Sequence, residues 1–251
     1  MLRLSGTAFL AAGLVLGASQ ARGDEAQVKQ VLDKAIKALG GEEKLSKAHT
    51  IFVKGKGKLI LEGNESDIST EATAEGYDHY CSKFEGDFGG NHVEGRSVLN
   101  DKKGWRKFGE NVMDMDDDAV KNEKRTIYLM LVPTTILPLK SKEFKVESAP
   151  DETVDGKAAA ALKVVGPDGK DFTISFDKES GLPVRVVAKV VGFQGEEFVQ
   201  ESLYKDYKDF GGIKKATKIS VKRDGEEFVR QEIVDFKVMD KAPAGSFDEL
   251  K

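Results

Sequence analysis

Closely spaced turn sequences divide the second half of the chain into short segments. Between Phe144 and Phe236 these turns recur every 11 to 19 residues, and their residues tolerate positive φ angles. The turns are Asp155-Gly156, Gly166–Gly169, Asp177–Gly181, Gly192–Gly195, Gly211-Gly212 and Asp224-Gly225. The segments between them leave no room for crossover helices, which argues against a doubly wound α/β fold. The spacing therefore predicts an antiparallel meander in which each strand pairs with its neighbour in sequence.

The strands predicted in this half are Ala159–Val165, Phe172–Phe176, Pro183–Val191, Phe198–Tyr204, Lys214–Lys222 and Glu227–Phe236. Some of them carry apolar residues on both faces, as at Val186 and Val187. Two apolar faces need two coverings. If the sheet curls around helices, the helices cover its concave face. Any part of that face that the helices do not reach becomes a hydrophobic cavity. The pattern fits a filled interior and a cavity equally well.

The first half of the chain, from residue 24 onwards, begins with a helical pattern and then changes to strands. Apolar residues from Val28 to Leu39 follow the spacing of one helical stripe, with Asp24 as the expected N-cap and Gly40-Gly41 as the stop. Strict alternation from Ile51 to Leu61 predicts a long strand. Turn-rich stretches then separate further strand candidates at Thr70–Gly76, Tyr77–Phe84, Val93–Leu99 and Trp105–Phe108.

The section Asn111–Leu139 interrupts the strand pattern. Its segment Ala119–Leu131 predicts a helix that is apolar on nearly every side towards its end. The acids before it resemble the start of a calcium loop, but Ala119 and Arg125 occupy positions that require Gly and Glu, so helix capping is the better explanation. The helix either plugs the core of the sheet or forms an apolar lid over a cavity.

The first 23 residues have the features of a secretory signal peptide. Arg3 precedes an apolar run of small residues from Leu4 to Ala18, and Ala21 and Gly23 suit a cleavage site. The run is shorter than the roughly 20 residues that span a bilayer. No cysteine lies near the cleavage region, which excludes a lipid-modified lipoprotein. We therefore predict a periplasmic or secreted protein with residues 24–251 as a single domain.

The composition offers little for catalysis, metals or nucleic acid. The net charge is −4, so no basic excess indicates a nucleic-acid partner. The chain has one cysteine and three histidines without metal-ligand spacing, and we expect neither a metal nor another cofactor. Cys81 follows His79 on one side of a strand, and this pair is the remaining enzymatic hypothesis. We expect a protein that is not an enzyme.

Several segments resemble the bacterial outer-membrane lipoprotein-sorting superfamily, typified by LolA and LolB. They are DKESGLPVR at 177–185, YKDYKDFGGIK at 204–214, VDFKV at 234–238, ALGGEEKL at 38–45 and NDKKGW at 100–105. The resemblance implies a mainly β fold, in which an unclosed antiparallel β-barrel wraps around an N-terminal helix and a mid-chain helix. It also implies a hydrophobic cavity that carries the acyl chain of a lipid or lipoprotein and makes transient contact with a membrane.

The leading hypothesis is thus a non-enzymatic carrier that binds an acyl chain in an apolar cavity. Large apolar residues in or beside the mid-chain helix are the expected cavity lining: Trp105, Phe108, Leu129, Met130, Ile136 and Leu137. The alternative is an envelope scaffold whose barrel is filled and whose open strand edge recruits a protein partner. Extractable lipid bound to the purified protein would discriminate between them.

Overall fold

The computed structural model describes residues 14–192 and 195–251, and residues 14–23 by their backbone alone. The helices in this part of the chain are α1 (Leu14–Leu39), α2 (Glu42–Leu45), α3 (Asp117–Thr135) and a 3₁₀ turn at Leu137–Lys140. The strands are β1 (Thr50–Leu61), β2 (Asn64–Glu75), β3 (His79–Phe88), β4 (Asn91–Asn100), β5 (Lys103–Phe108), β6 (Asn111–Asp114), β7 (Lys145–Val154), β8 (Lys157–Val165), β9 (Asp171–Asp177), β10 (Pro183–Val191), β11 (Glu197–Phe210), β12 (Ile213–Arg223) and β13 (Glu226–Met239).

All these strands form one antiparallel sheet that does not close. Its order is β6-β5-β4-β3-β2-β1-β13-β12-β11-β10-β9-β8-β7, so β6 and β7 are the two edges. Each strand pairs with its neighbour in sequence except at the middle, where β1 pairs with β13. The sheet thus consists of two meanders, β1–β6 and β7–β13, joined along that central pair. The predicted mainly β fold, an open curved meander with helices, is confirmed.

Helix α1 packs its apolar stripe against the inner face of the sheet. Val28, Leu32, Ile36 and Leu39 are buried in the main core, as their spacing predicts. The helix stops at Gly40, whose φ of 136° is closed to most side chains and whose added Cβ would lie 2.2 Å from the carbonyl oxygen of Gly212.

The start of α1 differs from the prediction. The helix already runs from Leu14, so Asp24 is not its N-cap. The Asp24 carboxylate instead accepts the backbone N–H of Ser148 in β7 at 2.8 Å, which ties the helix to an edge strand. The predicted signal peptide lies in part outside the described residues, and its cleavage stays a prediction.

Helix α3 connects the two edges of the sheet across its inner face. The Asp116 carboxylate caps it by accepting the Ala119 N–H at 2.8 Å, and this confirms the capping prediction. The helix ends at Ile136, whose φ of 61° is left-handed. The section Asn111–Leu139 was predicted to interrupt the strands, but its first residues, Asn111–Asp114, form the edge strand β6 by pairing with β5.

The C-terminal segment covers part of the opposite, outer face. Leu99 belongs to the main core, whereas its neighbour Val98 packs with Trp105 and Leu250 in a second apolar cluster. Because successive strand residues point to opposite faces, this second cluster lies outside the curve of the sheet. Within the described residues, no helix is long and apolar enough to cross a membrane.

Candidate functional site

A cavity of about 210 Å³ lies between α3 and the inner face of β10–β13. Of its 15 lining residues, eight are apolar and seven carry a polar group. The helix contributes Thr126, Leu129 and Met130, and the strands contribute Val186, Ala188, Val190, Val191, Gln200, Ser202, Tyr204, Lys215, Ile219, Val221, Arg223 and Gln231. We call this space the α3 cavity.

The local sequence explains why these residues meet. Thr126, Leu129 and Met130 lie three and four residues apart, so they share one face of α3. On β10, alternate residues from Val186 to Val190 point to the same face of the sheet. The cavity wall is therefore one helical stripe laid over the inner faces of neighbouring strands.

Lys215 is a buried cation in this wall. Its side chain is only 6% exposed, and its Nζ donates a hydrogen bond to Thr134 Oγ1 at 2.7 Å. The Phe236 ring centroid lies 5.9 Å from Nζ. In the described part of the chain Lys215 forms no ion pair with an acidic side chain. Burial therefore lowers the pKa of Lys215 from 10.5 to about 8.

Arg223 lies further along the same strand face. Its guanidinium carbon is 3.8 Å from the Phe228 ring centroid and 4.9 Å from that of Phe198, and its Nε donates to Gln200 Oε1 at 3.4 Å. The Cα atoms of Lys215 and Arg223 are about 26 Å apart along β12, since eight residues rise about 3.3 Å each. Since both line the α3 cavity, the cavity is elongated along β12 with a cation towards each end.

The N-terminal half of α3 is fixed to the first meander by a buried carboxylate. Glu123 accepts a hydrogen bond from Ser97 Oγ at 2.9 Å and an ion-paired one from Arg106 at 2.8 Å. A charged hydrogen bond in a buried place is worth more than an exposed pair. This contact holds α3 against β4 and β5.

A buried arginine fixes the same half of α3 to the second meander. Arg125 donates to the carbonyl oxygens of Lys189 and Asp171 at 2.8 and 2.9 Å, and to Asp168 Oδ2 at 3.0 Å. Tyr128 accepts from Arg125 and donates to Asp168 Oδ1 at 2.8 Å. Burial raises the pKa of Tyr128, so its hydroxyl keeps the donated proton. Together with Glu123, these bonds anchor α3 across the sheet.

A second hollow of about 230 Å³ adjoins the α3 cavity. It shares Thr126, Val191 and Arg223 with that cavity and extends towards Phe84 and Phe108 of the first meander. Arg223 therefore lies where the two spaces meet. The adjoining hollow thus extends the α3 cavity beside the anchored half of α3.

Solved structures share this arrangement of a curved sheet around helices. A LolA superfamily protein from Nitrosomonas europaea matches with a TM-score of 0.56 at 10% identity, over 88% of this chain and 97% of that one. A DUF1329 family protein from Desulfovibrio piger matches with a TM-score of 0.53 at 14% identity, over 88% and 97% of the two chains. The fold is LolA-like.

A third structure agrees with this assignment. The putative outer membrane lipoprotein-sorting protein domain from Vibrio parahaemolyticus matches with a TM-score of 0.50 at 9% identity, over 86% of this chain and 97% of that one. No family model matches the sequence, and no curated protein matches it either. The resemblance expected from the turn motifs is confirmed for the LolA-like fold.

The six residues predicted to line a cavity lie in different parts of the structure. Leu129 and Met130 line the α3 cavity, and Phe108 lines the adjoining hollow. Ile136 is fully buried in the main core, and Leu137 is partly buried and packs against that core. Trp105 lies on the outer face with Val98 and Leu250. The prediction thus contains members of the α3 cavity together with residues that pack elsewhere.

Sequence reasoning missed Lys215 and Arg223. A signal for Lys215 was present, because Ile213, Lys215, Thr217 and Ile219 share one strand face in simple alternation. A lysine among buried neighbours on such a face is expected to be buried as well. Lysine is seldom buried, so its residue type alone gives no reason to look for Lys215 in the interior.

The residues of the enzymatic hypothesis lie away from the α3 cavity. Cys81 packs at the edge of the outer cluster, and the His79 ring centroid is 5.5 Å from that of Phe247. Among the described residues, no three His, Cys, Asp or Glu side chains are grouped to hold a metal ion.

Proposed function

We propose that this protein is a non-enzymatic periplasmic or secreted carrier that holds the acyl chain of a lipid or lipoprotein in the α3 cavity. The observation that carries the proposal is the elongated apolar space between α3 and β10–β13. Each buried methylene group contributes about 0.8 kcal/mol, so an apolar wall is sufficient for binding and no reactive group is needed. The LolA-like fold and the signal-peptide features at residues 1–23 agree with this function.

The attachment of α3 suits uptake and release. Its N-terminal half is held by Glu123 and Arg125, whereas Leu129 and Met130 cover the cavity through apolar contacts. Apolar contacts are non-directional and can be replaced by contacts with a ligand. Leu129 and Met130 can therefore exchange contacts with the wall for contacts with a ligand, while the bonds of Glu123, Arg125 and Thr134 keep the helix in place.

The test is native mass spectrometry of the protein comprising Asp24–Lys251, before and after organic extraction. We expect added mass that extraction removes and that fragmentation assigns to a lipid class. Met130→Trp fills the cavity and should lower lipid occupancy, whereas Val199→Trp adds the same ring at an exposed position and should not. Circular dichroism checks that both variants fold, and Ile219→Trp is the second cavity variant if Met130→Trp does not.

Protein that carries no lipid and takes up neither a fatty acid nor a fatty alcohol would overturn the carrier proposal. The second candidate, an envelope scaffold, would then gain support. The observation that favours it is the edge strand β6, on which Val112 and Met113 are exposed. An edge strand with exposed apolar residues can accept a strand from a partner protein.

A further inference from the structure

We infer that the α3 cavity selects a single-chain aliphatic carboxylate, with the carboxylate on Lys215 and the chain directed along β12 towards Arg223. This inference rests on the proposed carrier function and adds the chemical class of the ligand. It follows from the unpaired charge of Lys215, from the apolar residues of the wall and from the size of the space.

The ammonium group of Lys215 has bonding capacity that the protein does not use. It has three N–H donors, and within the described residues one of them is bonded, to Thr134 Oγ1. The Thr134 hydroxyl donates its own proton to the carbonyl oxygen of Met130 at 3.2 Å, so it serves Lys215 as an acceptor only. Two donors therefore remain for an acceptor supplied from the cavity.

The missing partner of Lys215 is an anion. A buried cation is costly unless it is paired, and the described residues provide no carboxylate beside this one. Arg223 does not have the same need, because it is stacked between Phe198 and Phe228 and bonded to Gln200. A neutral ligand would leave Lys215 unpaired, and a cationic one would be repelled from both ends.

The rest of the wall defines the tail of this ligand. Between Lys215 and Arg223 the cavity is lined by Ile219 and Val221 of β12 and by Leu129 and Met130 of α3. The α3 cavity of about 210 Å³ and the adjoining hollow of about 230 Å³ together correspond to about fifteen groups of the size of a water molecule, at about 30 Å³ each. This space fits one aliphatic chain of moderate length and excludes a second chain beside it.

The experiment compares decanoic acid with decan-1-ol on delipidated protein, with dissociation constants measured by calorimetry at pH 7. A charged hydrogen bond that only the acid can make should favour the acid by about tenfold to a hundredfold. Lys215→Met should remove this preference by weakening the acid and leaving the alcohol within about twofold to threefold. Lys214→Met alters the neighbouring exposed lysine and should leave both affinities unchanged.

A pH series on the unmodified protein gives a second measurement that needs no variant. The groups around the ammonium are Thr134 of α3 and Phe236 of β13, which do not titrate. The other titratable groups of the wall are Arg223, which stays charged, and Tyr204, whose pKa is raised by burial. Acid affinity should therefore fall between pH 7 and pH 10, while alcohol affinity should not.

The outcomes separate this inference from the carrier proposal. Equal affinities of the unmodified protein for acid and alcohol would overturn the inference and leave the carrier function standing. Absence of binding by both compounds would overturn both. An acid preference that persists in Lys215→Met, or that does not change with pH, would show that another group recognises the carboxylate.

Discussion

Replacing Lys215 with methionine should stabilise the ligand-free protein. Burial lowers the pKa of this lysine from 10.5 to about 8, and each pKa unit corresponds to about 1.4 kcal/mol. The charged side chain therefore costs the folded state about 3 kcal/mol at pH 7. Methionine keeps an unbranched chain in the same space, and Thr134 retains its hydrogen bond to the Met130 carbonyl, so no polar group loses its only partner.

The pH dependence identifies the cause of this gain. The pKa of Lys215 is about 8 in the folded state and 10.5 when unfolded, so the unfolded state binds more protons between these values. The stability of the unmodified protein therefore rises with pH across this window. The advantage of Lys215→Met should shrink from about 3 kcal/mol at pH 7 to about 1 kcal/mol at pH 10.

The assay is urea unfolding of delipidated protein at both pH values, with Lys214→Met as the exposed control. The control should stay within about 0.5 kcal/mol of the unmodified protein. A Lys215→Met variant that is less stable at pH 7 would refute the reasoning, because Lys215 would then have a compensating partner. A gain of equal size at both pH values would assign the effect to packing instead of charge.

Three further predictions concern other parts of the molecule. Arg125→Met leaves Asp168 without its buried partner and should destabilise the protein by about 3–5 kcal/mol in urea unfolding; a loss below about 1 kcal/mol would contradict the anchoring of α3. Gly40→Ala should cost about 1–3 kcal/mol of stability because φ is positive and Gly212 is too close, and an unchanged melting temperature would contradict this. Cys81→Ser should leave lipid occupancy unchanged in native mass spectra, and loss of binding would instead support a functional thiol.

The sequence predicts the second meander well because its turns are local. Asp155-Gly156 and Asp224-Gly225 take positive φ angles, as their residue types require, and each joins two neighbouring strands. Such a turn depends on a few consecutive residues, so it can be recognised without the rest of the fold. The same holds for the cap at Asp116 and the stop at Gly40.

Features that depend on distant partners could not be predicted in this way. Strand β6 has four exposed residues and no apolar alternation, and it is a strand because β5 pairs with it. Trp105 is large and apolar, but its burial comes from Leu250 on the outer face. For the α3 cavity, Leu129 and Met130 could be named because they are large apolar residues of the predicted helix, whereas the burial of Lys215 depends on where α3 crosses the sheet.

The pairing of β1 with β13 has a consequence for folding. Every other strand pair joins neighbours in sequence, but here Thr50 pairs with Met239 from the opposite end of the sheet sequence. Hairpins form quickly, while contacts between distant segments must first overcome the entropy of closing the long loop between them. The two meanders can therefore become ordered separately, and the β1–β13 pair that joins them forms late. We expect amide protons along β1 and β13 to gain protection after those of the β8–β9 hairpin during refolding.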